Sequence, residues 1–235
     1  MKKEILRDLE KVSSKEYAST LQNFFKTGKG EYGYGDVFVG IKIPSLRSIC
    51  KKYYRDISFE ELNFFTQNRV HEYRLFAFLI LTYKFEKATQ HQKKDIYEYY
   101  IKHLEYVNNW DIIDLTAHEI VGQYLIDKDR KDIYELVNSD NLWKQRVAVI
   151  STYAFIKNGD FKEILSFAKK LLTHEHDLIH KAVGWMLRNM GKKDINELRK
   201  FLDSYATEMP RTMLRYAIER LEEPQRKKYL HMGKK

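Results

Sequence analysis

The sequence predicts an all-α protein, and three observations support that prediction. Only three prolines interrupt the 235 residues, and five of the ten glycines fall within residues 28–40, so most of the chain contains no helix breaker. Apolar residues recur at the spacing of amphipathic helices, and cap residues stand at the expected ends. The connections are short, which favours antiparallel helix pairs in a single domain covering residues 1–235.

Periodicity and caps predict fourteen helices. They cover residues 3–11, 14–26, 44–54, 58–67, 70–86, 90–104, 109–126, 129–138, 141–157, 161–172, 177–190, 194–205, 210–221 and 224–232.

The composition excludes several classes of protein. Hydrophobic residues make up 43% of the chain and aromatic residues 14%, which excludes a disordered protein. Lys and Arg number 42 against 33 for Asp and Glu, and the net charge of +9 favours a polyanionic partner such as nucleic acid or an acidic membrane surface.

The apolar runs are too short to span a bilayer, no signal segment follows Met1, and Cys50 is the single cysteine. We expect a cytoplasmic monomer that does not insert into a membrane.

Five helical segments repeat a pattern in which a charged residue precedes apolar residues. The equivalent positions 74, 111, 146, 181 and 215 are 37, 35, 35 and 34 residues apart. This period is typical of HEAT-like helical-hairpin repeats, which stack into a superhelical solenoid whose inner helices line a concave face. Cations at equivalent places would form a basic stripe, although scattered solvated charges are the alternative. The predicted DNA-contacting residues of these helices are Arg74, Lys144, Arg146, Lys181, Arg188 and Arg215.

The segment 28–40 breaks the helical pattern because glycine alternates with aromatic or apolar residues. It predicts a glycine-rich loop or a short β-hairpin between helices. Its first glycines have the G-x-G-x-x-G spacing, but a helix rather than a strand precedes them, so dinucleotide binding is not expected. Lys29, Tyr32 and Tyr34 could instead contact nucleic acid, with the cation on phosphate and the rings on bases or sugars. The alternative is a turn packed on the first repeat.

The stretch 108–114 is the strongest candidate for an active centre. Asn109 is a typical N-cap residue, and a helix beginning there places Trp110 and Asp114 four residues apart, on the border of an apolar stripe. Packing can then hold Asp114 while its carboxylate faces a groove. The alternative is that Asp111 and Asp114 only favour the positive end of the helix dipole and that Trp110 belongs to the core.

Two later features have a functional and a structural interpretation. Gly184 stands before Trp185 in mid-helix, where glycine costs roughly 1 kcal/mol relative to alanine, so we expect another backbone to approach it closely. The run His174-Glu175-His176 has metal-like spacing but lies in a polar inter-helix loop, where an ordinary capping loop is the favoured interpretation. We expect neither a metal nor an organic cofactor.

These segments together resemble the AlkD-type HEAT-like-repeat DNA glycosylases of DNA alkylation repair. The matching residues are Trp110 with Asp114, Arg146 in a W-x-x-R context, and the run 181–188 around Trp185, and the resemblance covers nearly the whole chain. It implies that Asp114 faces the sugar of a damaged nucleotide and that Arg146 holds phosphate. It also implies that Trp110 and Trp185 pack on the deoxyribose and backbone. The implied reaction is excision of cationic N3- or N7-alkylated purines without flipping of the base.

A second branch of the same superfamily offers a different function. The glycine-rich segment resembles the β-hairpin of the AlkF/AlkG branch, whose members are associated with binding branched DNA. The partner is then duplex DNA with alkylated purines for a glycosylase, or three-way and Holliday junctions for a non-catalytic binder. A HEAT-type protein-interaction scaffold is a further alternative, but it does not require Trp110, Asp114, Arg146 and Trp185 to converge on one groove.

Overall fold

The computed structural model describes residues 1–232, and that range is all-α with no strand. All fourteen predicted helices are present. They are α1 (Lys2–Lys11), α2 (Lys15–Phe24), α3 (Ile43–Tyr53), α4 (Phe59–Thr66), α5 (His71–Lys87), α6 (Gln90–Lys102), α7 (Trp110–Ala117), α8 (Lys131–Asn138), α9 (Leu142–Lys157), α10 (Lys162–Lys170), α11 (Asp177–Lys193), α12 (Ile195–Tyr205), α13 (Arg211–Ile218) and α14 (Glu223–Met232). The helix expected over 109–126 changes to a π-helical turn at His118–Gly122, and a 3-10 turn at Leu104–Tyr106 follows α6. Within the described residues, no helix is long and apolar enough to cross a membrane.

Side-chain caps fix several helix ends at the positions that the sequence predicts. Ser58 forms a capping box with Glu61 at the start of α4, and Thr89 forms another at the start of α6. The side chain of Asn141 accepts hydrogen bonds from two backbone amides of α9, and Asp194 does the same for α12. Each cap satisfies amide donors that the first helical turn leaves without a partner.

The chain divides into two compact units, Met1–Thr116 and Ala117–Lys235. In the first unit α5 is central, because it packs against α3, α4 and α6. Its residues 74–81 are all buried, as expected for a helix that neighbours surround on all sides. The single domain expected from the sequence stays a prediction.

The second unit shows the alternation of helices that the hairpin repeat predicts. Helices α9, α11 and α13 pack in succession, while α8 lies on α9 and α12 lies on α11. The mid-helix Gly184 is at the crossing of α11 and α13. A Cβ atom there would lie 2.5 Å from the carbonyl oxygen of Met213 and 2.6 Å from Cβ of Tyr216, which confirms the predicted close approach of a backbone.

The glycine-rich segment is a loop of successive turns, so the β-hairpin interpretation is wrong. Turn hydrogen bonds join Glu31 to Gly28, Tyr34 to Glu31, and Asp36 to Gly33. The sole bridge of strand type within the described residues pairs Val37 with Val70 in parallel. Gly33 is buried against the end of α2, where a Cβ atom would collide with the carbonyl oxygen of Phe25. The glycines therefore allow a loop to lie tightly on α2, which alternation alone does not distinguish from a strand.

Candidate functional site

Helix α7 begins at the residue predicted from the sequence. The backbone amide of Trp110 donates to the side-chain oxygen of Asn109 at 2.8 Å, and the amide of Ile113 donates to the Asn109 carbonyl. Asn109 itself is fully buried. Trp110 and Asp114 are both half-buried and line the same cavity, as their spacing of four residues on a helix predicts.

That cavity is an apolar cleft of ≈ 430 Å³ in the first unit. Helices α2, α3, α5 and α7 and the end of the glycine-rich loop contribute to it. Its size falls within the range of small-molecule sites, and polar groups are few and placed together. The lining residues are Tyr17, Thr20, Leu21, Phe24, Phe25, Phe38, Ile41, Ile43, His71, Glu72, Leu75, Trp110, Asp111, Asp114 and Leu115.

An aromatic stack forms one wall of the cleft. The ring of Phe25 stacks on Trp110 and on Phe38, with ring centroids 5.1 Å apart in both pairs. Phe24 meets Trp110 edge to face at 5.8 Å, yet 60% of Phe24 is exposed. The Trp110 indole is held a second time, because its Nε1 donates to the hydroxyl oxygen of Tyr32 at 3.2 Å. The ring that borders Asp114 is therefore fixed from the loop side and from α2.

A buried ion network lies at the cleft floor, centred on His71. Nε2 of His71 is 2.8 Å from a carboxylate oxygen of Asp111, and Nδ1 is 3.4 Å from Asp36. Burial alone would lower the pKa of His71, but the charge of Asp111, its hydrogen bond with Nε2 and the nearby Asp36 carboxylate outweigh burial and raise the pKa to about 9. Burial alone would raise the pKa of Asp36, but the adjacent His71 ring and the Arg74 guanidinium lower it instead. His71 is therefore a cation at neutral pH.

The same network attaches the glycine-rich loop to α5. The carboxylate of Glu72 accepts hydrogen bonds from three consecutive backbone amides, those of residues 39, 40 and 41. The amide groups of Asn108 and Asn109 both lie 3.5 Å from the Asp36 carboxylate. The loop end, α5 and the start of α7 are thus joined around one set of buried charges, which holds the cleft walls in place.

Comparison with known proteins identifies the family. A sequence model described as "DNA alkylation repair enzyme" matches residues 5–221, which is most of the chain. This chain belongs to the DNA alkylation repair enzyme family. The protein therefore has a role in DNA alkylation repair, with DNA as its partner. No curated protein matches the chain by sequence.

Two solved structures share the fold of this DNA alkylation repair protein. A predicted DNA alkylation repair enzyme from Enterococcus faecalis is 17% identical, with a TM-score of 0.69 over 90% of this chain and 97% of that chain. AlkD2 from Streptococcus mutans is also 17% identical, with a TM-score of 0.53 over 93% of this chain and 96% of the other. At this identity, the likeness shows the fold and not the chemistry.

The structure corrects the placement of Arg74, which the repeat pattern assigned to a basic stripe. Only 3% of Arg74 is exposed, and its guanidinium forms a 2.6 Å ion pair with Asp36. It also donates to the carbonyl oxygens of Asn68 and Arg69. A guanidinium with these partners is a structural cation of the first unit, because a phosphate could reach it only after the ion pair broke.

Arg146 on α9 is also buried, contrary to the expectation that its side chain reaches into a groove. It is 4% exposed, and its Nη1 donates to the carbonyl oxygen of Leu178 at the start of α11. The apolar run beside it is buried as expected, but the guanidinium ties two inner helices together inside the second unit. A role of Arg146 in holding phosphate stays a prediction.

The remaining predicted DNA contacts differ in exposure. Lys29 and Arg215 are exposed, and 66% of Tyr34 is exposed. Lys144, Lys181, Trp185 and Arg188 are half-buried. Lys181 pairs with Asp177 at 2.7 Å, and Arg188 pairs with Glu219. The convergence of Arg146 and Trp185 with Asp114 and Trp110 on one groove stays a prediction.

The histidine run before α11 acts as a cap. Nδ1 of His176 accepts a hydrogen bond from the Leu178 amide, and Nδ1 of His174 accepts one from the His176 amide. Nε2 of His174 contacts the side-chain oxygen of Gln145 at 2.9 Å. In the described part of the chain, no group of three His, Cys, Asp or Glu side chains is arranged to hold a metal ion.

Sequence reasoning missed the ion network and most of the aromatic wall. His71 and Glu72 open a long apolar helix, where two ionisable residues before a buried run were the available signal. Asp36, the partner of His71 and Arg74, lies in the segment that was interpreted through its glycines. Phe38 gave no signal, because a single aromatic residue among glycines fits an exposed turn as well as a buried stack.

Proposed function

We propose that this protein is a DNA glycosylase that hydrolyses the N-glycosidic bond of cationic N3- or N7-alkylated purines. The observation that carries the proposal is the presence of Trp110 and the Asp114 carboxylate in one apolar, aromatic cleft. The family supports a role in alkylation repair, and the cleft supplies groups suited to that bond.

The charge of the lesion decides what the protein must provide. An alkylated purine carries a positive charge and leaves as a neutral base, so it needs little help from a general acid. The sugar becomes oxocarbenium-like, and this species needs stabilisation. Asp114 can supply it, because a carboxylate in a water-poor cleft opposes the developing charge and can orient the attacking water.

The ring faces of the cleft favour the same cation. The indole ring of Trp110 stacks on Phe25, and its Nε1 donates a hydrogen bond to the Tyr32 hydroxyl. A cation within reach of such a face gains about 0.5–2 kcal/mol, and the gain increases as water is excluded. The charged groups that line the cleft or lie directly behind it include more carboxylates than cations. The carboxylates are Asp36, Glu72, Asp111 and Asp114, and the cations are His71 and Arg74. The net negative charge has the sign that an alkylated purine requires.

The test of the proposal is base excision by the purified protein. Duplex DNA containing 7-methylguanine is incubated with wild-type protein, and free base is measured under single-turnover conditions. We expect release of base, and we expect Asp114→Asn to reduce the rate by about a hundredfold or more, because the amide keeps the shape but loses the charge. Binding of the duplex, measured by fluorescence anisotropy, should change little.

Glu105→Gln is the matched control, since it removes one negative charge from an exposed site in the same unit. It should excise at the wild-type rate. If wild-type protein releases neither N3-alkylated nor N7-alkylated purines, the glycosylase proposal is withdrawn.

Binding of branched DNA is the second candidate function. The observation that favours it is the exposure of Lys29 and Tyr34 on the glycine-rich loop, which offers a cation and a ring outside the cleft. This function predicts strong junction binding without excision, so the two assays separate it from the glycosylase.

A further inference from the structure

A second cleft lies at the opposite end of α5 from the aromatic cleft. Its volume is ≈ 280 Å³. The last turns of α5, the residues after α3 and the first turns of α4 and α6 contribute to it. The lining residues are Tyr54, Arg55, Phe59, Lys84, Lys87, Ala88, Gln92, Asp95 and Ile96.

The two clefts are separate sites on one helix. Leu75 lines the aromatic cleft and Lys84 lines the second cleft. At 1.5 Å per residue, the nine steps between them correspond to about 13 Å along the helix axis. The two clefts have no lining residue in common. A ligand in the second cleft therefore does not touch Trp110 or Asp114.

The ammonium group of Lys84 can donate hydrogen bonds to a ligand in this cleft. The side chain is half-buried, and among residues 1–232 no protein acceptor forms a hydrogen bond or ion pair with it. Burial lowers the pKa of Lys84, opposed only by the more distant charge of Asp56. Partial burial disfavours the charged form of Lys84, and an anion bound in this cleft would favour that form.

The charges of the cleft lining favour an anionic ligand. Three cations, Arg55, Lys84 and Lys87, and one carboxylate, Asp95, line the cleft, while the charge of Asp56 acts on Arg55 and Lys84 from outside the lining. Arg55 uses its Nε to donate to the Tyr54 hydroxyl, which leaves the two terminal nitrogens for a ligand. Lys87 pairs with Glu86 at the exposed rim, so its effect is weaker than that of Lys84.

We propose that this cleft binds a phosphate monoester attached to a nucleoside, either a free nucleotide or the phosphorylated 5′ end of a nucleic-acid strand. A monoester carries about −1.5 to −2 charges at pH 7 and offers three terminal oxygens, so it attracts Lys84 and Arg55 more strongly than the single charge of a backbone diester does. The half-buried rings of Tyr54 and Phe59 provide apolar surface for the attached nucleoside. The proposal is independent of excision, because no residue of the aromatic cleft takes part.

The experiment is a calorimetric titration of the full-length protein with four probes. These are inorganic phosphate, adenosine 5′-monophosphate, and one single-stranded oligonucleotide with either a 5′-phosphate or a 5′-hydroxyl. The variant is Lys84→Met, which keeps the apolar stem and removes the charge. The matched control is Lys102→Met, an exposed lysine on α6 outside the cleft.

We expect wild-type protein to bind the nucleotide or the 5′-phosphorylated strand. We expect Lys84→Met to lose about tenfold or more in affinity, as removal of a charged hydrogen-bond donor does elsewhere. If wild-type protein prefers the 5′-phosphorylated strand to the 5′-hydroxyl strand and Lys84→Met loses that preference, the ligand is a strand end. Binding confined to the nucleotide identifies a free nucleotide.

Two outcomes would overturn the proposal. One is the absence of any binding that depends on the phosphate monoester. The other is an equal loss of affinity in Lys84→Met and Lys102→Met, which would show that the loss comes from the lower net charge of the protein and not from a contact in the cleft. If Lys84→Met does not fold by circular dichroism, Arg55→Gln at the exposed side of the cleft tests the same prediction.

Discussion

The hydroxyl oxygen of Tyr32 accepts a 3.2 Å hydrogen bond from the indole Nε1 of Trp110, so the glycine-rich loop holds one wall of the aromatic cleft. The two residues are 78 positions apart in the chain. The loop therefore contributes to the site through a side chain that the sequence suggested as a DNA contact. Its contribution to the cleft is to position the indole.

We predict that Tyr32→Phe slows base excision by about two- to tenfold, because a neutral hydrogen bond contributes roughly 0.5–1.5 kcal/mol. The measurement is the single-turnover rate on 7-methylguanine duplex. Tyr34→Phe is the control, since Tyr34 is largely exposed on the same loop. Equal rates for Tyr32→Phe and wild-type protein would show that packing on Phe25 alone fixes the indole.

The ion network gives a prediction about stability and pH. The pKa of His71 is raised from 6.5 to about 9 in the folded protein. A raised pKa means that the stabilisation is complete below the unfolded value and is lost as pH rises through the folded value. We therefore expect the free energy of unfolding to fall by on the order of 3 kcal/mol between pH 6.5 and 9.5.

Urea denaturation across that pH range measures this change. His71→Gln should flatten the dependence, whereas His91→Gln, at an exposed site on α6, should leave it unchanged. Because His71→Gln could disturb the fold, NMR titration of His71 in wild-type protein is a second measurement. A folded-state pKa at or below 6.5 contradicts the ion network.

The sequence predicted the helices well because their signals are local. Caps such as Ser58 and Asn141 act within four residues, and the apolar period is visible over a single helix. The ion network was not predictable in this way, since His71 is 35 positions from Asp36 and 40 from Asp111. No local pattern shows which distant carboxylate neutralises a buried cation.

The error over Arg74 has the same cause. In the sequence, Arg74 precedes an apolar run at a repeat position, as Arg215 does, and Arg215 is exposed. Arg74 differs because the glycine-rich loop brings Asp36 against it. The spacing of Trp110 and Asp114 was a better guide than the repeat position of Arg74, because one helix alone places Trp110 and Asp114 on the same border.

The salt dependence of duplex binding tests the part of the basic stripe that is exposed. Each phosphate contact releases counterions, so the slope of log affinity against log salt changes by about 0.9 per contact. We predict that Arg215→Gln flattens this slope by about one. Arg226→Gln, an exposed arginine on α14 outside the predicted stripe, should leave the slope unchanged. An identical slope in wild type and Arg215→Gln removes Arg215 from the DNA contacts.

The last prediction separates excision from the binding of branched DNA and concerns the exposed tip of the glycine-rich loop. Replacing the whole loop would remove Asp36, break the ion pair with Arg74 and disturb the cleft, so it could not distinguish a DNA contact from a folding defect. The double variant Lys29→Gln with Tyr34→Ser changes two exposed side chains and leaves the buried charges intact.

If the loop holds a second arm of branched DNA, this variant should lose about tenfold in affinity for a three- or four-way junction, because one phosphate contact and one stacking contact disappear together. Its affinity for plain duplex and its excision rate should change much less. Fluorescence anisotropy with matched junction and duplex provides the comparison, and Lys3→Gln, at an exposed lysine of α1, is a control for the same change of charge elsewhere. Equal losses for junction and duplex would make the loop tip a general phosphate contact. Unchanged affinity for junction and duplex would show that the loop has a structural role only. Asp36 and Tyr32 hold the cleft in place whether or not the loop tip contacts DNA.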